Sequence, residues 1–127
     1  MQIVNLAEVI SGDLNPTYIE NTDLGFTTAH NVFIDENGVL YVFGSNYSNG
    51  GCEMYDLTTN PEQPIFLGVF DDYYFHDGMV RGDTLWGGAI YNGVFSVVDV
   101  SDKSNPEIIG SHSTPNTFSH NCWISDD

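Results

Sequence analysis

The chain predicts an all-β fold: a partial β-propeller of consecutive four-stranded antiparallel blades, two complete and two partial. Three observations carry that expectation. The sequence repeats itself about every 45 residues: His30-Asn31-Val32-Phe33-Ile34-Asp35-Glu36 returns as His120-Asn121-Cys122-Trp123-Ile124-Ser125-Asp126, with His76-Asp77-Gly78-Met79-Val80 between them. Two more signatures keep step with the histidines. One is Ile3-Val4-Asn5-Leu6, Met54-Tyr55-Asp56-Leu57 and Val97-Val98-Asp99-Val100; the other is Pro64-Ile65-Phe66-Leu67-Gly68 and Pro106-Glu107-Ile108-Ile109-Gly110. Finally, Val, Ile, Phe and Tyr crowd short segments while Asn, Gly, Pro, Asp and Ser crowd the joints, which is the grammar of strands and turns. No stretch holds apolar residues at helical spacing over a dozen positions, so helical arrays of similar period are excluded. Signatures in constant order mean one unit copied along the chain, and four short strands per ~45 residues is a propeller blade.

Taking each histidine as the start of a unit divides the chain into 30–75 and 76–119, two complete blades. Residues 1–29 then match only the end of a preceding blade, and 120–127 only the first strand of a following one. Four strands are expected in each complete unit. The first runs from His30 to Asp35 and is copied from His76 to Val80. The second, Val39 to Gly44, is copied from Thr84 to Ile90. The third, Cys52 to Leu57 after Gly50-Gly51, is copied from Val94 to Val100 after Asn92-Gly93. The fourth, Ile65 to Phe70, is copied from Glu107 to Ser111. Asp35-Glu36-Asn37-Gly38 resembles the start of a calcium loop but lies between two strand-like runs, so it reads as a hairpin turn with Asn37-Gly38 supplying positive φ. A chain that starts and stops within its own repeat is expected to be a fragment of a longer protein. It should form an open arc, prone to edge-to-edge self-association through an unpaired strand.

Composition limits the partners. Eighteen acidic residues against two basic ones, Arg81 and Lys103, give a net charge of −16. That surface repels nucleic acid and anionic membrane, which are bound mainly through Lys and Arg. No run approaches the ~20 apolar residues of a membrane span, and Met1 leads straight into a strand pattern with no basic leader region. The 41% hydrophobic and 13% aromatic content supports a packed core. Cys52 and Cys122 stand at different phases of the repeat, so a disulfide between them is not expected, and two cysteines make no zinc site.

The candidates for chemistry are few. His30, His76 and His120 each open a first strand, the strand nearest the channel of a propeller. They should occupy equivalent places at one end, where imidazoles could hold a divalent metal ion. A structural role, with ring nitrogens bonded to a strand-end aspartate or a carbonyl, competes with that reading, because packing residues are copied into every blade and catalytic ones seldom are. Asp56 and Asp99 close the third strands, where an aspartate accepts turn N–H groups; Asn5 at the same phase can do so too. The connection between the complete blades holds the densest polar-aromatic cluster, and Asp72, Tyr73, Tyr74 and Asp77 in it are candidate ligand contacts. Trp86 and Trp123 fall in strand-like runs and read as core. No nucleophile elbow, phosphate loop or Cys-His pair is present.

The phrase Phe95-Ser96-Val97-Val98-Asp99-Val100-Ser101-Asp102-Lys103-Ser104-Asn105-Pro106 resembles the LVIVD repeat of bacterial and archaeal surface proteins. In that repeat a hydrophobic strand ends in aspartate before a Ser-Asp-x-x-x-Pro turn. From Ile3 to Asp127 the chain is similar to the choice-of-anchor B family of secreted propellers. The resemblance implies a propeller fold and a secreted or cell-surface location, with no defined reaction. Two functions follow as expectations. One is a non-catalytic extracellular module that binds protein or glycan at blade-connecting loops or serves structurally in a larger protein. The alternative is a metal-dependent hydrolase or lactonase-like enzyme using channel histidines.

Overall fold

The computed structural model describes residues 1–20 and 23–125. Among them, strands form three antiparallel sheets. A two-stranded sheet pairs β1 (Gln2–Val4) with β2 (Tyr18–Glu20). The second sheet runs in the order β3 (Asn31–Ile34), β4 (Val39–Phe43), β5 (Cys52–Asp56), β6 (Ile65–Phe70). The third repeats that meander as β7 (Asp77–Arg81), β8 (Thr84–Ala89), β9 (Val94–Asp99), β10 (Glu107–Ser113). These two sheets fall within residues 30–75 and 76–119, and their strand bounds lie within about two residues of those expected. Between residues 30 and 119 the only helical piece is a single 3-10 turn at Pro115–Thr117. No helix among the described residues is long and apolar enough to cross a membrane.

The turns are fixed by their side chains. Asp35 is buried and accepts from the N–H groups of Asn37 (2.9 Å) and Val39 (2.8 Å), while its other oxygen takes the Tyr41 hydroxyl at 3.2 Å. Only Gly38, at φ +77°, carries positive φ here, so Asn37 does not share that role as expected. A glycine is needed because an L side chain in that region costs ~1–2 kcal/mol. At the ends of the third strands, Asp56 accepts from Thr58 N and Asp99 from Ser101 N, both at 2.8 Å. Asn5, at the same phase, accepts from Ala7 N at 3.0 Å. Its amide also reaches Glu8 at 3.0 Å, and the pair starts a short helix, α1 (Leu6–Ile10). That helix replaces the plain turn expected between the strands of residues 1–29, because Asn5 is a good N-cap and Glu8 sits at the position that completes a capping pair.

The core lies between the two four-stranded sheets. Tyr41, Phe43, Met54 and Phe70 of one sheet meet Val80, Leu85 and Val98 of the other, all nearly inaccessible. Phe75, in the connection, stacks on Phe70 with ring centres 4.8 Å apart. The opposite face of β4 is also covered: Leu40 and Val42 pack with Leu24 and Tyr55. Burial on both faces explains why β4 reads Val-Leu-Tyr-Val-Phe without alternation. The first strands of the two sheets, β3 and β7, lie side by side. Each fourth strand is bulged at the same phase: the register slips between Gly68 and Phe66 opposite β5, and between Gly110 and Ile108 opposite β9. The turn after β9 seats against β6 at Gly68, where a methyl group would lie 1.8 Å from the Lys103 carbonyl oxygen.

Two expectations need correction. Residues 120–125 run beside β7 without forming a strand, and Asp126 and Asp127 lie outside the described residues. A strand is made by ladder hydrogen bonds, and this segment is held by other contacts. Ile124 N donates to Met79 Sδ at 3.1 Å and Arg81 donates to the Ser125 carbonyl at 3.1 Å. Trp123 is accordingly not core but 76% exposed, touching Phe33 edge-on at 6.3 Å. Cys52 and Cys122 are free thiols.

Candidate functional site

Repetition places the three histidines together. His30 and His76 immediately precede β3 and β7, and each is fixed by its backbone N–H, which donates to Phe43 and Gly88 respectively at 2.9 Å. His120 occupies the same phase before the last segment. Because β3, β7 and that segment lie side by side, the imidazoles form a column at one end. Ring centres are 3.6 Å apart for His30–His76, 4.1 Å for His76–His120 and 6.4 Å for His30–His120. His76, in the middle, is half-buried while His30 and His120 are exposed. The rings are tilted against one another. As they stand, no three or more His, Cys, Asp or Glu side chains among the described residues surround a point in ligating geometry.

The residue after each histidine closes on the next peptide. Asn31 accepts from Val32 N at 2.8 Å, Asp77 from Gly78 N at 2.8 Å, and Asn121 from Cys122 N at 2.6 Å. Asn31 also donates its amide to the Asp77 carboxylate, tying β3 to β7. Asp77, a candidate ligand contact in the sequence, is buried and bonded to these partners. Burial, then the neighbouring His30 and His120 rings, hold His76 below the ordinary imidazole value, against the opposing pull of a His120 backbone hydrogen bond and the Asp77 charge. Its Nδ1 is buried with no hydrogen-bond partner.

The connection between the sheets divides its residues between the core and the histidine end. Tyr73 is partly buried and packs edge-on against Phe70 at 6.4 Å, beside the core. Tyr74 turns toward the histidines. Gly44, at φ +60°, makes that possible, since a methyl group there would lie 2.8 Å from both the His30 Cβ and the Tyr74 hydroxyl. Tyr74 packs on Tyr91 at 4.9 Å, and its burial, with Tyr91 beside it, raises its phenol. Asp72 is exposed in the same connection. Phe118 lies nearly parallel to His120 at 6.0 Å. The three imidazoles, Tyr74, Tyr91 and Phe118 therefore gather at one end of the sheets, where Tyr91 is 81% and Phe118 59% exposed.

Tyr91 and Phe118 escaped the sequence reading, though the repeat contains the signal for one of them. Phe118 stands two residues before His120, as Tyr74 stands two before His76. Tyr91 is marked only as an aromatic in an otherwise polar turn. Compared with protein-family models, curated proteins and solved structures, the chain matches none, so its reading rests on these residues and their geometry.

Proposed function

We propose that the chain is part of a β-propeller whose histidine-lined mouth binds a glycan or protein partner, a non-catalytic module of the secreted or cell-surface kind that its LVIVD-like phrases suggest. The propeller reading is supported by two four-stranded meanders of identical order whose first strands lie side by side. The observation that carries the binding reading is the exposure of Tyr91 and Phe118 beside the imidazoles. Large aromatic rings left in water at a loop end are good stacking platforms for sugar faces or apolar side chains. Asp72 nearby offers a carboxylate for hydroxyl groups.

A hydrolase reading has less support, because the nearest carboxylate in sequence, Asp77, is buried and holds both Asn31 and Gly78 through its Oδ1. A general base must reach the proton it abstracts, and Asp77 is 7% exposed. The test is a glycan array probed with the labelled chain, run beside capture from a panel of purified surface proteins. Binding abolished by Tyr91→Ala and Phe118→Ala, with folding intact, supports the mouth as the site. Binding untouched by both variants, or absent from both panels, refutes it.

A further inference from the structure

We propose that His30, His76 and His120 form an imidazole site for one borderline divalent transition-metal ion of the Zn²⁺, Co²⁺, Ni²⁺ or Cu²⁺ class. Three chain-distant histidines converge within 6.4 Å, measured between ring centres. Stacking three polar rings gains little by itself, and leaving a buried nitrogen unbonded forfeits its hydration without return. Chains tolerate such local conflicts mainly at functional positions. His76 Nδ1 is such a nitrogen.

The spacing is close to what an ion needs. With metal–nitrogen bonds of ~2.0–2.1 Å, each ring centre lies ~3 Å from the ion, so three tetrahedral ligands have centres ~5 Å apart. The observed 3.6, 4.1 and 6.4 Å bracket that value. Ligation thus requires the column to open, by rotation of the two outer rings, which are exposed. The middle ring, held by burial, need move least.

Donor type and field select the ion. An all-imidazole set suits zinc and its neighbours, while calcium and magnesium require oxygen. The net charge of −16 concentrates cations near the surface. The chain's two basic side chains are engaged away from the mouth: Lys103 donates to the Val100 carbonyl at 2.6 Å and Arg81 to that of Ser125 at 3.1 Å. This inference does not depend on the mouth's taking a glycan or protein.

The experiment is equilibrium dialysis of the full chain against Zn²⁺ with excess Ca²⁺ to occupy surface carboxylates. Histidine ring resonances are followed by NMR, and Co²⁺ is substituted for its visible absorption. About one ion per chain is expected, with the His30, His76 and His120 resonances moving together. The chain's fourth histidine, His112 on β10, is the internal reference and should stay unmoved. His120→Ala, which alters a residue outside any strand, should weaken binding at least tenfold, and His30→Ala should do the same. If His76→Ala does not fold, the NMR titration of the unaltered chain decides. Overturning results are no ion retained against calcium, binding that His120→Ala leaves unchanged, or zinc that moves His112 as much as the other three. Zinc binding without any glycan or protein partner would leave this inference standing and remove the preceding one.

Discussion

Replacing Asn31 with aspartate would set two carboxylates against each other where β3 meets β7. In the native chain Asn31 donates to the buried Asp77, and each of the two accepts from the peptide N–H that follows it. Asn31→Asp keeps that local acceptor but removes the donor and adds a like charge. Two unit charges ~4 Å apart interact by about 4 kcal/mol at an effective dielectric constant near 20. Breaking a partnership with a buried charge costs ~3–5 kcal/mol in measured cases, so the single variant should lose ~4 kcal/mol. Asp77→Asn keeps an amide–amide bond and should cost ~1 kcal/mol. The exchange Asn31→Asp with Asp77→Asn reverses the pair and retains both local acceptors, so it should return to within ~1 kcal/mol of the parent, a coupling of ~4–5 kcal/mol. Urea denaturation of the four chains, followed by tryptophan fluorescence, measures it. A double variant as unstable as the sum of the singles, or an Asn31→Asp chain losing less than ~1 kcal/mol, would refute the account of how β3 and β7 are joined.

Gly44→Ala should cost ~2–4 kcal/mol, combining ~1–2 for an L residue at φ +60° with overpacking against His30 and Tyr74; thermal melting checks the cost, and a shift of the His30 ring resonance checks its place. Stability should fall on strong acidification. The Thr58, Ser101 and Ser104 hydrogen bonds hold Asp56, Asp99 and Asp102 respectively below the ordinary value of 3.8. Their contribution is therefore complete above that value and lost as pH drops through the lower folded ones; acid titration of the parent and of Asp99→Asn, which should show a shallower loss, tests it. Trp123, exposed beside Phe33, should supply the red-shifted, quencher-accessible part of the emission, and Trp123→Phe should remove it while leaving the half-buried Trp86 signal.

The elements most legible in the sequence are those set by short-range chemistry. Asp56, Asp99 and Asn5 share a phase because each must satisfy the N–H two residues on, and that requirement is visible in one dimension. The third signature encodes the bulge: Leu67 and Ile109 are the extra residues, and Gly68 and Gly110 follow them. What stayed hidden depends on placement across the fold. Tyr73 and Tyr74 are neighbours of one residue type, yet one packs beside the core and the other at the histidine end, a division made by the backbone path between sheets. Repetition predicted that the histidines are equivalent, while their approach to 3.6 Å depends on how closely β3 and β7 lie. Trp123 carries a strand-like pattern, but a strand also needs a partner ladder, which residues 120–125 lack. The helix at Leu6–Ile10 was missed because Asn5 serves both a turn and an N-cap, and only Glu8 tips the balance.

The contact at Gly68 works like a tooth in a notch. The bulge on β6 opens a gap only as deep as a glycine allows, and the turn carrying Lys103 from the neighbouring sheet fills it to 1.8 Å of a would-be methyl group. The angle between the two sheets is thus indexed at their outer rim as well as by apolar packing at the centre. Gly110 carries the same notch one unit later, and there a methyl group would meet only the Val97 Cβ, at 3.9 Å. Two glycines identical in the repeat should therefore differ in the laboratory: Gly68→Ala must pry the sheets apart and lower the melting temperature sharply, while Gly110→Ala should pass almost unnoticed. Equal sensitivity at both positions would mean that a second tooth, from whatever follows in space, is already seated at Gly110.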